Sequence, residues 1–506
     1  MVDLARVTSI VSGRPVMKKS DAVLKRDTKL SERFLTRRDW LATASAMGAT
    51  AAIAQRSSTA VESATEKNVV DIGSRRELFV DRFLIDRLDG VQLKLHEPRL
   101  ASPINLPANG LEYATIIRDG HLFRLYTRDA RGATKSGDVT EVTRYYESLD
   151  GLHWTRPTLG LHEVDGSRAN NVILHEVGSC HNFSPFLDTR PGLWIPGRPE
   201  VPNDHLAVDR RFKALGGISS SGLFAFSSDD GIHWSKLSES PVITSEELAF
   251  DSQNVSFWSQ SEQCYICYFR SWKTSHGKLR TISRTTSPDF LSWSRPVALE
   301  PNFPGEHFYT NQTHPYFRAP HIYIALPTRF HPRRGDSTDI LFMTARGDAP
   351  YDRTFREAFI RPGLDLNQWG NRSNYAALNV VPTGPSEMSI YTTPFRRFTL
   401  RTDGFASVHS GAAEGEMVTH PLRFDGSSLV VNYSTSAGGH LRVELQNADG
   451  QPLPGFGLDA CQILVGDAIE QSVNWRRGDL SGLAGTPVRI RCTMKEADLF
   501  ALKFSS

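Results

Sequence analysis

Four acidic residues lie at the edges of strand-like runs along this 506-residue chain. Glu112 precedes Tyr-Ala-Thr-Ile-Ile, Asp188 ends Ser-Pro-Phe-Leu-Asp, Asp251 sits in Phe-Asp-Ser-Gln-Asn, and Glu387 opens Glu-Met-Ser-Ile-Tyr. Carboxylates suit proton transfer and nucleophilic attack, and side chains at the mouths of strands are well placed to meet a ligand. Asn254, Arg270, His314, Tyr316 and Arg329 occupy similar segments and are candidates for contacting a substrate. Each has a structural reading beside it: Asp188 as a turn former before Thr189-Arg190-Pro191, His314 as a structural hydrogen-bonding residue.

A second constellation looks chemical and is better read as scaffold. Ser228-x-Asp230-Gly231-x-x-Trp234 combines a hydroxyl, a carboxylate, a histidine at 233 and an indole, and it recurs at Ser148-x-Asp150-Gly151-x-x-Trp154. Asp and Gly suit the turn's backbone angles, and the carboxylate can accept neighbouring N–H groups while the Trp packs between layers. Further copies occur as Ser283–Pro296 and, in degenerate form, Phe342–Phe355. Repetition at every copy argues for architecture, since several equivalent catalytic sites are implausible.

Those copies set the elements that must position the acids. Anchored on Ser148, Ser228, Ser287 and Ala345, they are spaced by 80, 59 and 58 residues, each a strand, a turn and a second strand. Longer runs with two-residue alternation separate them, at 113–128, 212–217, 254–270, 314–330 and 387–401. A repeated unit of short antiparallel strands with this period is the signature of propeller blades. The expectation is an all-β, five-bladed β-propeller over 71–401, its last blade closed by the N-terminal strand Glu77–Ile85. From 402 to 506 shorter alternating strands with Gly/Asp turns predict a β-sandwich. Residues at the starts of the innermost strands then become the site candidates, with Asp188 leading towards the second of them.

At the level of the whole pattern, residues 75–506 resemble the five-bladed glycoside hydrolases of families 32, 43, 68, 117 and 130. In particular they resemble a bacterial group described as glycosyl hydrolase family 32 N-terminal domain. The segments that carry the resemblance are ELFVDRFLID, FDSQNVSFW, YTNQTHPYF, EAFIRPG, SEMSIY and RRFTLRTDGFASV. It implies a cleft-bound sugar and hydrolysis of a glycosidic bond in an oligo- or polysaccharide by an acid/base pair of carboxylates, with a third acid modulating them. The matching places are Glu112, Asp188 and Asp251, and Glu387 competes. The implied roles are Asp251 as general base or nucleophile, Glu387 or Glu112 as general acid, and Asp188 holding sugar hydroxyls. No cofactor is implied, although propeller axes of this type sometimes hold a calcium ion. A non-catalytic carbohydrate-binding propeller and a glycoside phosphorylase are the alternatives. A sialidase is set aside, because no Arg-Ile-Pro occurs and the turn motif is one residue shorter.

Composition fits this reading. With 58 Lys+Arg against 56 Asp+Glu the net charge is +2, and outside the N-terminal segment no like-charge block points to nucleic acid. Thr36-Arg37-Arg38-Asp39-Trp40 precedes the Ala-rich apolar run Leu41–Ala54, the form of a twin-arginine export signal. That run is too short for a membrane span. Residues 1–54 are thus expected to be a leader, with Met17 as an alternative start, and 55–70 a linker. The implied location is periplasmic or extracellular, with carbohydrate as the partner and no membrane span in the mature protein. Five cysteines do not make a disulfide framework, though Cys461 and Cys492 could pair.

Overall fold

The structure is a computed structural model. It describes residues 69–506 apart from 107–111, 130–140, 193–209 and the single positions 220, 247, 273, 276, 371, 394 and 477. The expected leader, nearly all of the expected linker and the side chain of Glu112 lie outside the described residues.

The chain is all-β: among the described residues the only helical turns are the 3₁₀ turns Leu366–Gln368 and Leu480–Leu483. The first sheet runs Glu112–Asp119, Leu122–Asp129, Val142–Ser148, Val172–Leu174. The second is Ser184–Leu187, Phe212–Ile218, Gly222–Ser228, Ser235–Lys236, and the third Val255–Ser259, Cys264–Ser271, Thr281–Ser287, Val297–Ala298. Strands are antiparallel and in chain order within each. Next come two three-stranded sheets, one containing His314–Tyr316, the other Thr328–His331. The following sheet joins Tyr375–Ala376 and Val381–Pro382 to Glu387–Thr393 and Arg396–Arg401.

The opening strands of these sheets neighbour one another in sequence order, and Glu112–Asp119 also abuts Tyr375–Ala376 and Val381–Pro382. Gln312 donates to the Ala376 carbonyl at 2.6 Å, and the Val380 N–H donates to His314 Nε2 at 3.1 Å, which closes the circuit. Strands packed between neighbouring sheets are buried on both faces, so Val255–Ser259 and all but the last residue of Phe212–Ile218 are buried without alternation.

The Ser-Asp-Gly-Trp hairpins stitch the circuit together. Asp230 Oδ1 accepts from the backbone N–H of Ile232 at 2.9 Å and of His233 at 2.8 Å, while Ser228 Oγ accepts from the Gly231 N–H at 2.9 Å. Trp234 Nε1 donates back to the Gly231 carbonyl at 3.0 Å, and Tyr126 of the preceding sheet donates to that carbonyl at 3.0 Å. The 148–154 copy repeats every one of these contacts, with Tyr391 of the last sheet donating to the Gly151 carbonyl at 2.7 Å. Burial alone would raise the Asp230 carboxyl; the His233 side chain and the backbone donors outweigh it and bring it down to about 2. These residues spend their hydrogen-bonding capacity locally.

The N-terminal segment behaves differently from expectation. The last sheet is completed by Arg99–Leu100, which pairs with Phe398 and Thr399, not by Glu77–Ile85. Glu77–Leu78 instead pairs with Ala501–Leu502, while Ile85–Asp89 and Val91–Leu95 pair with Glu416–Thr419 and Ala406–Ser410. The reason is apolar burial, since Phe79, Leu84 and Ile85 belong to the core of the C-terminal sheet, and Glu77 beside them is a fully buried carboxylate that requires cations. Arg346 and Arg75, each at 2.7 Å, supply them, and His321 Nε2 lies 3.0 Å from the same carboxylate. The C-terminal sheet is built on the long pair Ser428–Gln446 and Arg489–Ser505, around a core that includes Leu429, Val443, Ile490, Met494 and Phe504. Cys461 and Cys492 belong to that core as free thiols and do not pair.

Candidate active site at the mouth of the opening strands

The leading ends of the opening strands carry strained backbone. Tyr113, Asn182, Phe250 and Gln312, at or shortly before the first four opening strands, adopt φ values of 48°, 52°, 65° and 51°. A non-glycine residue there costs on the order of 1–3 kcal/mol, and such strain gathers where a fold commits backbone to a site. Beneath them lies a polar floor. Gln253 donates to Thr115 Oγ1 at 2.7 Å, and Gln312 donates to Gln253 Oε1 at 2.7 Å, tying three opening strands across the axis.

Tyr309 is the centre of the mouth. The Arg270 guanidinium lies 4.7 Å from its ring centroid and that of Arg280 5.2 Å, while Arg372 Nη1 donates to its hydroxyl at 3.2 Å. Arg280 is also stacked on Trp272 at 4.1 Å and Phe330 at 4.7 Å. Aromatic rings continue the wall: Tyr309 to Tyr375 at 5.5 Å, Tyr375 to Tyr113 at 5.8 Å. Burial, then the neighbouring phenols, pushes both Tyr113 and Tyr375 far above the usual phenol range, so both stay protonated donors. On the far side of Tyr113, Arg128 stands 5.6 Å from the ring and donates to Glu141 at 2.6 Å. Glu141 also meets His181 Nδ1 at 2.8 Å, and both are buried.

Among the described residues Asp251 is the accessible acid of this cluster. Its side chain is 55% exposed, and Arg270 Nη2 donates to Oδ2 at 2.6 Å, while the arginine itself is 3% exposed. The tight turn through Phe250 presents it: the Asp251 N–H donates to the Ala249 carbonyl at 2.9 Å, and the Ser252 N–H to the Phe250 carbonyl at 2.8 Å. Arg270 also donates to the Tyr309 carbonyl at 3.3 Å, which fixes the fork from behind. A buried, doubly engaged arginine holds an exposed carboxylate in one orientation without removing it from water.

The sequence candidates divide between two ends of the opening strands. Asp251 and Arg270 meet at the leading end, where Asn254 lies buried beneath the turn and donates to the Phe250 carbonyl at 3.2 Å. Glu112 begins the first opening strand at that end, its backbone in register with Arg128. Asp188 does not lead towards the second opening strand, as expected; Ser184–Leu187 comes before it, so it lies at the trailing end. There it is wholly buried, paired with Lys213 and accepting from Tyr265 at 2.7 Å and the Arg190 N–H at 2.9 Å. Glu387 is also at the trailing end, since its strand runs antiparallel to Val381–Pro382, and it pairs with Arg397 and accepts from Thr383 at 3.0 Å.

The remaining three are engaged elsewhere. Both ring nitrogens of His314 serve backbone, Nδ1 on the Gln312 carbonyl at 2.9 Å and Nε2 on the Val380 N–H, and burial lowers its pKa to about 4. Tyr316 donates to Asp403 at 2.7 Å beneath the C-terminal sheet. Arg329 forms a two-pronged pair with Asp339 at 2.9 and 2.6 Å across neighbouring strands. Tyr113, Tyr309, Tyr375, Arg280, Arg372, Arg128, Glu141 and His181 escaped the sequence reading, which followed acids at strand openings. Tyr113 beside Glu112 and Tyr309 in Phe-Tyr-Thr-Asn-Gln were its available signals.

A cavity of about 360 Å³ opens at the trailing end, lined by Ile116, Phe186, Phe257, Trp258 and Val380 among others, and no Asp or Glu lines it. Among the described residues no group of three or more His, Cys, Asp or Glu stands together as a metal site.

No family model matches this chain, and no curated protein does. Among solved structures, it is similar to a family 43 arabinoxylan arabinofuranohydrolase from Bacillus subtilis at 14% identity and a TM-score of 0.39, over 78% of this chain and 96% of that one. It is also similar to an endo-arabinase from Bacteroides thetaiotaomicron at 11% identity and a TM-score of 0.37, over 59% and 96% of the two chains. A third is a β-1,2-mannobiose phosphorylase from Listeria innocua, at 11% identity and a TM-score of 0.36, over 58% and 89%.

Proposed function

We propose that the chain is a five-bladed β-propeller with a C-terminal β-sandwich that hydrolyses a glycosidic bond at the mouth of its opening strands. The observation that carries this reading is Asp251, an exposed carboxylate clamped by buried Arg270 beside a wall of tyrosines. Aromatic faces suit the apolar face of a sugar ring, and a fixed carboxylate can activate water or attack the anomeric carbon. The leaving oxygen needs a proton from a second acid. We assign Glu112 that role because its backbone begins the first opening strand at the end where Asp251 lies, whereas Asp188 and Glu387 lie at the other end. Water adds across the bond, one fragment taking hydroxide and the other the proton.

The N-terminal twin-arginine pattern supports export to the periplasm or beyond. A non-catalytic sugar-binding propeller is the second reading, favoured by Asp251 being the one exposed carboxylate in the described Tyr309 cluster. Release of reducing ends from a glycan panel by wild type, Asp251→Asn and Glu112→Gln decides between them. Hydrolysis requires turnover by wild type and its loss in both variants; binding without turnover supports the second reading.

A further inference from the structure

Three guanidiniums converge on one phenol, and among the described residues only one of them is in an ion pair there. Arg270 is matched by Asp251. Arg280 and Arg372, on the same Tyr309 ring, make no direct ion pair among the described residues; Asp251 acts on Arg280 and Asp336 on Arg372 only from a longer range. Arg280 is occupied on its faces by Trp272, Phe330 and Tyr309, which leaves the edge of its fork as the polar surface, and its Nε is buried without a hydrogen-bond partner. Arg270 and Arg280 lie within about 10 Å of each other through their shared contact with Tyr309, and the Asp251 carboxylate paired with Arg270 offsets only part of their mutual repulsion. Such an arrangement leaves positive charge at the mouth that an anionic ligand can meet. Burial, and after it the charge of Arg270, weakens the hold of Arg280 on its own proton.

We propose that Arg280 and Arg372 form an oxyanion receptor that selects saccharides bearing a carboxylate or a sulfate ester on the unit laid against Tyr309. The tyrosine wall beside the arginines distinguishes a charged sugar from a free inorganic anion, which has no use for an aromatic platform. Arg forks recognise carboxylate and sulfate alike through paired N–H donors. The inference names the substrate class for the hydrolase proposed above and rests on the mouth being its sugar site.

The test is calorimetric titration of the full chain with two matched pairs: digalacturonate against its methyl ester, and galactobiose 6-sulfate against galactobiose. The charged member of at least one pair should bind roughly 10- to 100-fold more tightly than its neutral partner. Arg372→Gln and Arg280→Gln should each bring the two within a few-fold. Arg372 is exposed, so its variant carries the test if Arg280→Gln does not fold. Equal binding of charged and neutral members, no binding of either pair, or a preference that survives both substitutions overturns the receptor. So does turnover that requires inorganic phosphate and yields a sugar phosphate. Hydrolysis of a neutral glycan, lost in Asp251→Asn and indifferent to charge, would sink the receptor and leave the hydrolase standing. A charge preference without turnover would do the reverse.

Discussion

The buried Arg270 guanidinium donates to the exposed Asp251 carboxylate at 2.6 Å, so this acid of the mouth is oriented from below while its side chain stays more than half exposed. Replacing Asp251 by Asn keeps the shape and removes the charge. Turnover should fall by roughly 10²- to 10⁴-fold. Because the carboxylate is exposed, the thermal midpoint should move little; a large loss of stability would show that the pair is structural.

Tyr309→Phe preserves the ring against which Arg270 and Arg280 lie and removes the acceptor for Arg372. It should weaken sugar binding by only a few-fold, about one hydrogen bond. Tyr309→Ala should weaken it far more. Equal effects of the two would show that the phenol oxygen, and not the aromatic face, makes the contact.

Lys213 and Asp188 are paired and fully buried. Lys213→Met strands the carboxylate among Tyr265 and backbone, and should cost about 3–5 kcal/mol in urea unfolding. If Asp188→Asn instead abolishes turnover in a protein of undiminished stability, then the trailing end takes part in catalysis.

Gly231 has φ +75°, and a Cβ there would lie 2.6 Å from the Tyr126 hydroxyl. Gly231→Ala should destabilise by about 2 kcal/mol or more, through left-handed backbone strain and loss of the Tyr126 contact between neighbouring sheets. Activity per folded molecule, measured at low temperature, should be retained.

His314 links stability to pH. Burial lowers its folded pKa to about 4, against about 6.5 in the unfolded chain. Between those values the unfolded state binds the extra proton, so stability rises with pH and falls as pH drops from about 6.5 towards 4. The loss should approach about 3 kcal/mol. His314→Gln should flatten this part of the pH–stability curve, measured by urea titration, even if it lowers the curve as a whole.

Different features of the molecule were legible in the sequence to different degrees, for physical reasons. The Ser-Asp-Gly-Trp hairpins could be read because their hydrogen bonds are local, as Asp230 with Ile232 and His233 shows. Asp188 could not be placed, because its strand Ser184–Leu187 is four residues long and gives no pattern that says which end an adjoining acid occupies. The Arg99–Leu100 edge is shorter still, whereas Glu77–Ile85 looked like a strand while its apolar side chains committed it elsewhere. The arginine–tyrosine mouth is assembled from distant positions, with Arg270, Arg280, Tyr309 and Arg372 meeting only through the closure of the sheets. No local pattern encodes that meeting.

The central claim is that the mouth beside Tyr309 performs hydrolysis with Asp251. Reducing-end release by the full chain on acidic and neutral glycans, compared with Asp251→Asn under the same conditions, tests it most directly. The account predicts turnover by wild type on at least one glycan and at least a hundredfold loss in the variant. Undiminished turnover by a folded Asp251→Asn protein would contradict it.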